Sequence, residues 1–226
     1  MFDFLQIPSE TFLDRLSPDV RQAILKAGVR IRYEDGQMLH GRGDDKPGLS
    51  IILSGAVQAG IHGRDGSFVL ALRMQPGETF GEFTLFAGLP RTHDVLAIGQ
   101  TEICQIPAAA FMRLYETHSE IATALLSVTL VRSHMAFEML DAIRRLPLRE
   151  RTAKFIIMLM QSTNTPDAFA CRQADLAFTL GVSRMSLSTA LRQLSDLGLV
   201  QRGYGAVIVP DAARMRTWVR NNCSPS

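Results

Sequence analysis

Glycine is distributed very unevenly along this chain, and the distribution limits the folds that it can adopt. Thirteen of the 17 glycines precede residue 100, and none lies between Gln100 and Leu180. In the first half, short apolar runs such as LSIILSGAVQAGI and FVLALRM alternate with turn clusters such as GRGDDKPG and QPGE. Many short strands separated by turns are typical of a barrel or jelly roll. We therefore expect a β-rich first half, preceded by one or two short helices and followed by a helical middle.

Composition indicates a multi-part globular protein. With 226 residues, 46% of them hydrophobic, the chain can bury a full core and form two domains. No run reaches the roughly 18 apolar residues of a membrane span, and the N-terminus lacks the basic region and apolar core of a signal peptide. The three cysteines, Cys104, Cys171 and Cys223, are odd in number and far apart. We expect reduced thiols, no disulfide framework, no metal site and a cytoplasmic location.

The segment from Ala108 to Leu146 contains neither glycine nor proline, and its pattern predicts a long interface helix. One stripe is small or apolar: Ala122, Leu126, Thr129, Ser133, Ala136, Leu140 and Ile143. A second stripe runs beside it: Ile121, Leu125, Val128, Arg132, Met135, Met139, Ala142 and Leu146. Two stripes require two covering surfaces, which we interpret as the β-rich domain and the same helix of a second subunit. The alternative is a monomer with one wide core-facing stripe. A buried Arg132 would require an anion.

The segment QADLAFTLGVSRMSLSTALRQL, residues 173–194, predicts two short helices joined by a tight turn. Gly181 provides the left-handed residue of the turn, and Ser183 is suited to cap the second helix. Apolar residues give each helix one buried face: Leu176, Ala177 and Leu180 in the first, and Leu187, Leu191 and Leu194 in the second. Such a unit most often places its second helix in the DNA major groove, although an ordinary helical hairpin has the same pattern.

Two further features favour DNA binding over the ordinary hairpin. Residues 147–226 carry 10 Lys and Arg against 5 Asp and Glu, whereas residues 1–146 carry 14 against 17. A basic half is what neutralisation of DNA phosphates requires. Two short β-branched runs around residues 203–205 predict a hairpin after the helices, and hence a winged helix-turn-helix. The candidate DNA-binding residues are Gln173, Ser183, Arg184, Met185, Ser186, Ser188, Thr189 and Arg192.

A candidate anion site occurs in the β-rich half, in GETFGEFTLFAGLPRT, residues 77–92. Gly77 and Gly81 allow a ligand to approach the backbone closely. Glu82 offers a carboxylate to hydroxyl groups, and Arg91 offers a two-pronged donor to a phosphate.

This segment resembles the phosphate-binding cassette of cyclic-nucleotide-binding β-rolls, in which F-G-E is followed by apolar residues and then R-S/T-A. In the order of its parts the chain resembles the bacterial CRP/FNR superfamily (catabolite activator and fumarate-nitrate regulator type) from about residue 10 to residue 210. The resemblance implies an α+β fold: an N-terminal double-stranded β-helix (a jelly roll of the cyclic-nucleotide-binding type), a long dimerisation helix and a C-terminal winged helix-turn-helix. The corresponding domains are residues 1–116, with N-terminal helices and an effector-sensing roll, 117–146 and 147–226.

The resemblance also implies a function for the whole chain. It indicates a homodimeric transcription regulator, without catalytic residues, that binds a near-palindromic double-stranded operator and contacts RNA polymerase. An effector in the roll would change the hinge near residues 145–149 and thereby the spacing of the two recognition helices.

Roles in an effector site follow residue by residue from the same resemblance. Glu82 is expected to hold the ribose hydroxyl of cyclic AMP or cyclic GMP, beside the close-approach residue Gly81. Arg91 and Thr92 are expected to hold the cyclic phosphate. Arg132 aligns with an arginine that the family's long helix carries near that glutamate.

The chain departs from the cyclic-nucleotide pattern at two places. Position 93 is histidine where the cassette usually has a small residue. Ala136 and Phe137 replace the Thr-Ser pair that holds adenine in the cyclic-AMP activators, so the polar recognition of adenine is lost. Phe137 can still stack on a base. The alternatives are an unrelated ligand, or an ion pair between Glu82 and Arg91 in an effector-free roll.

Other sensor and enzyme classes lack the residues they need. No cysteine precedes Cys104, which argues against an iron-sulfur cluster, and the five scattered histidines do not indicate haem. A metal-dependent jelly-roll enzyme needs a His-x-His pair, and no two histidines here lie within ten residues of each other. A cyclic-nucleotide module of a kinase or channel would lack the winged helix.

The operator is expected to differ from that of the best-known family members. Members that bind a TGTGA half-site begin the recognition helix with Arg-Glu and place a second arginine four residues after that glutamate. Here Arg184 is followed by Met185, and Thr189 replaces the second arginine. Arg184 can still donate to a guanine, or contact a phosphate instead, but Met185 cannot accept from cytosine. The half-site should therefore differ from TGTGA at one or two positions.

Overall fold

The structure is a computed structural model that describes residues 10–63, 68–162, 169–203 and 206–223. Their contacts divide the chain into two compact units, Glu10–Leu130 and the residues from Val131 onward. We call these the roll unit and the C-terminal unit. The division falls inside a single helix, α4 (Ser119–Arg145), so each unit contains part of that helix.

The roll unit contains antiparallel strands with helices at its beginning and end. Its strands are β1 (Val29–Tyr33), β2 (Met38–His40), β3 (Gly48–His62), β4 (Phe68–Met74), β5 (Thr79–Phe80) and β6 (Asp94–Pro107). Hydrogen-bonded neighbours follow the order β1-β6-β3-β4, with β2 also paired to β6 and β5 to β3. The helices are α1 (Pro18–Lys26), α2 (Glu82–Phe86), α3 (Ala108–Thr117) and the first part of α4, after a short 3₁₀ helix at Leu13–Arg15. These elements confirm the predicted jelly roll and the short helices expected before it.

Strands β3 and β6 are long enough to bend, and their pairing shifts register on either side of Ser54. Gly55 lies at this irregularity with φ 75°, and a Cβ there would stand 2.4 Å from the carbonyl oxygen of Gln100. Only glycine fits such a close approach without strain. The bent strands separate two apolar clusters, one that includes Ile52, Phe80 and Ile103, and one that includes residues of α1, α3 and α4.

The long helix lies within two residues of its expected bounds. Residues 108–146 form two helices because the backbone at His118 is extended (φ −129°, ψ 93°), so the helix predicted over residues 117–146 runs from Ser119 to Arg145. In the roll unit, Ile121, Leu125 and Val128 of one stripe are buried. Leu126 and Leu130, on the other side of α4, are exposed.

The C-terminal unit contains the second part of α4, four further helices and a small sheet among its described residues. The helices are α5 (Leu148–Ser162), α6 (Gln173–Thr179), α7 (Arg184–Asp196) and α8 (Ala212–Cys223). The strands β7 (Phe169–Arg172), β8 (Gln201–Arg202) and β9 (Ala206–Val209) pair antiparallel in the order β7-β9-β8. Strands β8 and β9 confirm the predicted hairpin, whose tip at Tyr204 and Gly205 lies outside the described residues.

Candidate effector site and nucleic-acid interface

Gly81 is the residue around which the candidate anion site is built. It precedes α2 with φ 112°, a conformation that residues with side chains rarely adopt. A Cβ at this position would stand 2.3 Å from the carbonyl oxygen of Gly48, and 3.3 and 3.4 Å from the two terminal nitrogens of Arg91. The missing side chain therefore leaves the Arg91 guanidinium next to the first turn of α2, where Glu82 is the first residue.

Arg91 is buried, with 8% of its surface exposed. Its backbone is fixed by the loop before β3: the Arg91 N–H donates to the Asp44 carbonyl (2.8 Å), and the Gly43 N–H donates to the Arg91 carbonyl (2.9 Å). Burial lowers the pKa of the guanidinium from its ordinary value, while the negative charges of Asp44 and Glu82 oppose that change. Within the described residues, the buried Nε of Arg91 has no hydrogen-bond partner.

A buried donor without a partner is costly, because it has lost its water and gained nothing in return. An anionic oxygen held beside Gly81 would satisfy it. The arrangement of Gly81, Glu82 and Arg91 therefore fits the phosphate and hydroxyl groups of a ribose phosphate, as the sequence predicts.

The other polar residues of the cassette already have partners within the chain. The Thr79 hydroxyl donates to Glu82 Oε1, and the Thr92 hydroxyl lies 2.8 Å from His93 Nδ1. Burial and the positive charge of Arg42 lower the pKa of His93, against the effect of Asp94. In the tautomer in which His93 Nδ1 accepts, His93 competes with a ligand for the proton of the Thr92 hydroxyl.

His40, which sequence reasoning placed only among the scattered histidines, lies at the same site. It ends β2, its Nε2 is 3.4 Å from the hydroxyl of buried Ser50, and its ring meets Phe80 edge-on at 5.7 Å between centroids. Burial lowers its pKa from 6.5 to about 4, with further lowering by Arg91 and Lys46 and an opposing effect of Asp44. No local spacing could have identified His40, because its neighbours come from distant parts of the chain.

His40 should make stability depend on pH. Between pH 6.5 and about 4 the unfolded chain takes up a proton at His40 that the folded chain does not, so stability falls as pH falls through this window. We expect His40→Gln to reduce this loss by about 1–2 kcal/mol, after allowance for solvent screening. Urea unfolding at pH 7, 5.5 and 4.5 measures it. Identical pH slopes for wild type and His40→Gln would contradict the prediction.

Arg132, Ala136 and Phe137 lie on the part of α4 that belongs to the C-terminal unit. Phe137 is 70% exposed and Ala136 is exposed. Arg132 is only partly buried, which corrects the expectation of a buried charge: this stretch of its stripe is incompletely covered within its own unit. The approach of these residues to an effector stays a prediction.

The second candidate site is the helix pair α6 and α7. Gly181 has φ 64°, and Ser183 caps α7 by accepting a hydrogen bond from the Ser186 N–H at 3.1 Å. The six apolar positions expected to face inward are all buried: Leu176, Ala177, Leu180, Leu187, Leu191 and Leu194. The predicted turn, cap and packing are therefore confirmed.

The opposite face of α7 is open to a partner. Met185 is 83% exposed, and the other exposed candidates are Arg184, Ser186, Ser188, Thr189 and Arg192. Gln173 begins α6 and is partly buried. An open cleft of about 380 Å³ separates part of this face from the first turn of α5, and is lined by Pro147, Leu148, Arg149, Glu150, Ser186, Thr189, Ala190 and Gln193.

A buried ion pair joins α4 to α5 within the C-terminal unit. The Lys154 side chain is 2% exposed and the Glu138 side chain 32%, and the Lys154 ammonium donates to Glu138 Oε2 at 2.7 Å. At the turn between the helices, an Arg151 terminal nitrogen donates to the Ile143 carbonyl. Removing one partner of a buried pair leaves an uncompensated charge, so Glu138 and Lys154 hold the end of α4 against α5.

Among the described residues, no helix is long and apolar enough to cross a membrane. No group of three or more potential metal ligands lies together among them.

Comparison with known proteins assigns a family to each half of the chain. The model of the cyclic nucleotide-binding domain matches residues 30–118, and the model of the Crp-like helix-turn-helix domain matches residues 150–218. The chain is 25% identical over 206 residues to a CRP-like cAMP-activated global transcriptional regulator of Mycobacterium tuberculosis, covering 88% of this chain and 92% of that one. It is 27% identical over 201 residues to the cyclic AMP receptor protein of Thermus thermophilus, covering 88% and 91%.

A solved structure has the same fold over nearly the whole chain. The structure of a CooA mutant from Carboxydothermus hydrogenoformans superposes with a TM-score of 0.73 at 14% identity, covering 95% of this chain and 98% of that one. The two domain families occur here in the expected order, on an antiparallel roll, a long helix and a helix-turn-helix. The chain belongs to the CRP/FNR superfamily of transcription regulators.

Proposed function

We propose that the protein is a homodimer that binds a near-palindromic operator through α7 and is controlled by a cyclic nucleotide in the roll unit. The observation that carries DNA binding is the division of α7 into a buried leucine face and an exposed face with Arg184 and Arg192. Ser183, Ser186, Ser188 and Thr189 add hydroxyls to this surface. These are groups that contact bases and phosphates in the major groove.

The observation that carries an effector is the Arg91 guanidinium, whose buried Nε has no hydrogen-bond partner among the described residues and whose terminal nitrogens lie beside Gly81. The names of both relatives include cyclic AMP. This nucleotide has a phosphate that Arg91 and Thr92 would bind and a ribose hydroxyl that Glu82 would bind. Ala136 and Phe137 offer the base no hydroxyl, so cyclic AMP and cyclic GMP should be discriminated poorly.

The functional division of the chain follows the same scheme. We propose residues 1–116 as the sensing part, 117–146 as the dimerisation helix and 147–226 as the DNA-binding part. A regulator of this kind acts in the cytoplasm, contacts RNA polymerase and has no catalytic step.

A second candidate is a regulator that works without an effector. It is favoured by the partners that the cassette already has, Thr79 for Glu82 and His93 for Thr92. These bonds would fill the site from within the chain. The ligand experiments described in the Discussion separate the two candidates.

DNA readout is tested by comparing two arginines of α7. Arg184→Ala should cost about 1–3 kcal/mol on the operator and relax the preference for one guanine in each half-site, because a bidentate contact to a base is lost. Arg192→Ala, the matched control on the same helix, should weaken all sequences alike and flatten the salt dependence. Selection from a randomised library at several salt concentrations measures both effects, with half-sites expected about 10–10.5 base pairs apart. Uniform losses for both variants would make Arg184 a phosphate contact.

A further inference from the structure

Three strands bring one histidine to the wall of the anion site. His40 ends β2, Ser50 lies in β3, and Phe80 ends β5 directly before Gly81. The imidazole contacts the other two, with Nε2 at 3.4 Å from the Ser50 hydroxyl and its ring edge-on to Phe80. Ser50 is 1% exposed, so this contact is shielded from water. His40 is therefore held in place beside the residue on which the site is built.

The loop that starts at His40 also encloses Arg91. The Gly41 N–H donates to the Asp44 carboxylate at 2.8 Å, and the backbones of Gly43 and Asp44 are both bonded to that of Arg91. The loop from His40 to Asp44 therefore links the histidine to the backbone of Arg91 through hydrogen bonds. The positive charge of Arg91 acts on His40 and, together with burial, keeps the imidazole neutral at physiological pH.

A neutral imidazole carries one N–H. Either atom of the His40–Ser50 contact can donate; in the tautomer in which the Ser50 hydroxyl donates to Nε2, the imidazole proton lies on Nδ1, which makes no hydrogen bond to any described residue. In that tautomer the site offers two N–H donors, the charged Arg91 guanidinium beside Gly81 and a neutral histidine N–H beside Phe80. Two such donors suit a phosphate with two exocyclic oxygens.

We propose that His40 is a specificity-determining residue of the effector site, donating its N–H to one exocyclic oxygen of the cyclic phosphate while Ser50 fixes the imidazole tautomer. This inference rests on the proposed binding of a cyclic nucleotide at Gly81, Glu82 and Arg91. It assigns one phosphate oxygen to Arg91 and the other to His40. The site should therefore distinguish the two oxygens.

Sulfur substitution tests this assignment, since sulfur accepts hydrogen bonds poorly. The probes are cyclic AMP and the two diastereomers of its phosphorothioate, each with sulfur in place of one exocyclic oxygen. His40→Ala should lower the affinity for cyclic AMP about 3- to 10-fold, the range of one neutral hydrogen bond. The same variant should lower the affinity for one diastereomer equally and leave the other unchanged. His40→Gln, which keeps an N–H donor, should restore part of the loss, and His118→Ala serves as the control histidine.

The outcomes separate this inference from the proposed function. Equal losses for all three probes would assign His40 a purely structural role, and unchanged affinities would remove it from the site. A wild-type protein that binds none of the probes would overturn the proposed effector, and this inference with it. Should His40→Ala fail to fold, Ser50→Ala and His40→Gln provide the same comparison across the three probes.

Discussion

A lysine at Leu126 or Leu140 is expected to convert the protein from a dimer to a monomer. Leu126 is 60% exposed and Leu140 45% exposed, on a helix whose other stripe is buried at Ile121, Leu125 and Ala142. An exposed apolar stripe of this length on a long helix is suited to packing against its copy, and a lysine would place like charges across the seam. The monomer would contact one half-site, so operator affinity should fall by about 10²- to 10⁴-fold.

Analytical ultracentrifugation and operator titration measure the two effects. Val29→Lys is the matched control, because Val29 is as exposed as Leu126 but lies on β1. It should leave both the sedimentation coefficient and operator affinity unchanged. A wild-type protein that is already monomeric at micromolar concentration would contradict this account of α4.

Arg91→Ala is expected to abolish stabilisation by a cyclic nucleotide. A ligand at about 100 times its Kd that binds only the folded state adds roughly 2.7 kcal/mol of stability. For a chain of this size each kcal/mol raises Tm by about 2–4 °C, so wild type should show a clear shift with cyclic AMP and a similar one with cyclic GMP. The variant should show no shift in Tm, because the buried guanidinium that donates hydrogen bonds to the phosphate is gone.

Three further variants make the ligand experiment decisive. Arg91→Lys keeps the charge but loses the fork and should retain only a small shift. Arg30→Ala on β1 controls for the loss of an arginine from the roll unit. His93→Ala frees the Thr92 hydroxyl and should leave the shift unchanged or enlarge it. No shift from either nucleotide at millimolar concentration, in wild type and His93→Ala alike, would favour the effector-free regulator.

The parts of the sites that depend on local patterns could be predicted from the sequence. Gly181, Ser183 and the leucines of α7 act on residues a few positions away, so their spacing reveals turn, cap and buried face together. The same holds for Gly81 and Glu82, which begin α2. These positions are restricted by backbone geometry and by helical periodicity, both of which are visible in a single chain.

What the sequence did not reveal comes from contacts between distant segments. His40 meets Ser50 and Phe80 only because three strands converge, and the backbone of Arg91 is held by hydrogen bonds to Gly43 and Asp44 in a loop distant in sequence. The helix break at His118 lies next to the boundary predicted at residue 117, but its backbone geometry could not be predicted. No glycine or proline marks it, and the extended backbone at His118 leaves the apolar pattern on both sides intact.

The ion pair between Glu138 and Lys154 has a consequence for recombination within this family. A chimera joined at Pro147 would combine the α5 of this protein with the α4 of a relative, and the buried Lys154 would lose the Glu138 carboxylate unless the donor chain supplied a carboxylate at the same position. A junction between Leu130 and Val131 keeps both charges in the same parental segment. Chimeras that combine the roll unit of one family member with the DNA-binding part of another should therefore fold more often when they are joined in the middle of α4 than when they are joined at its end.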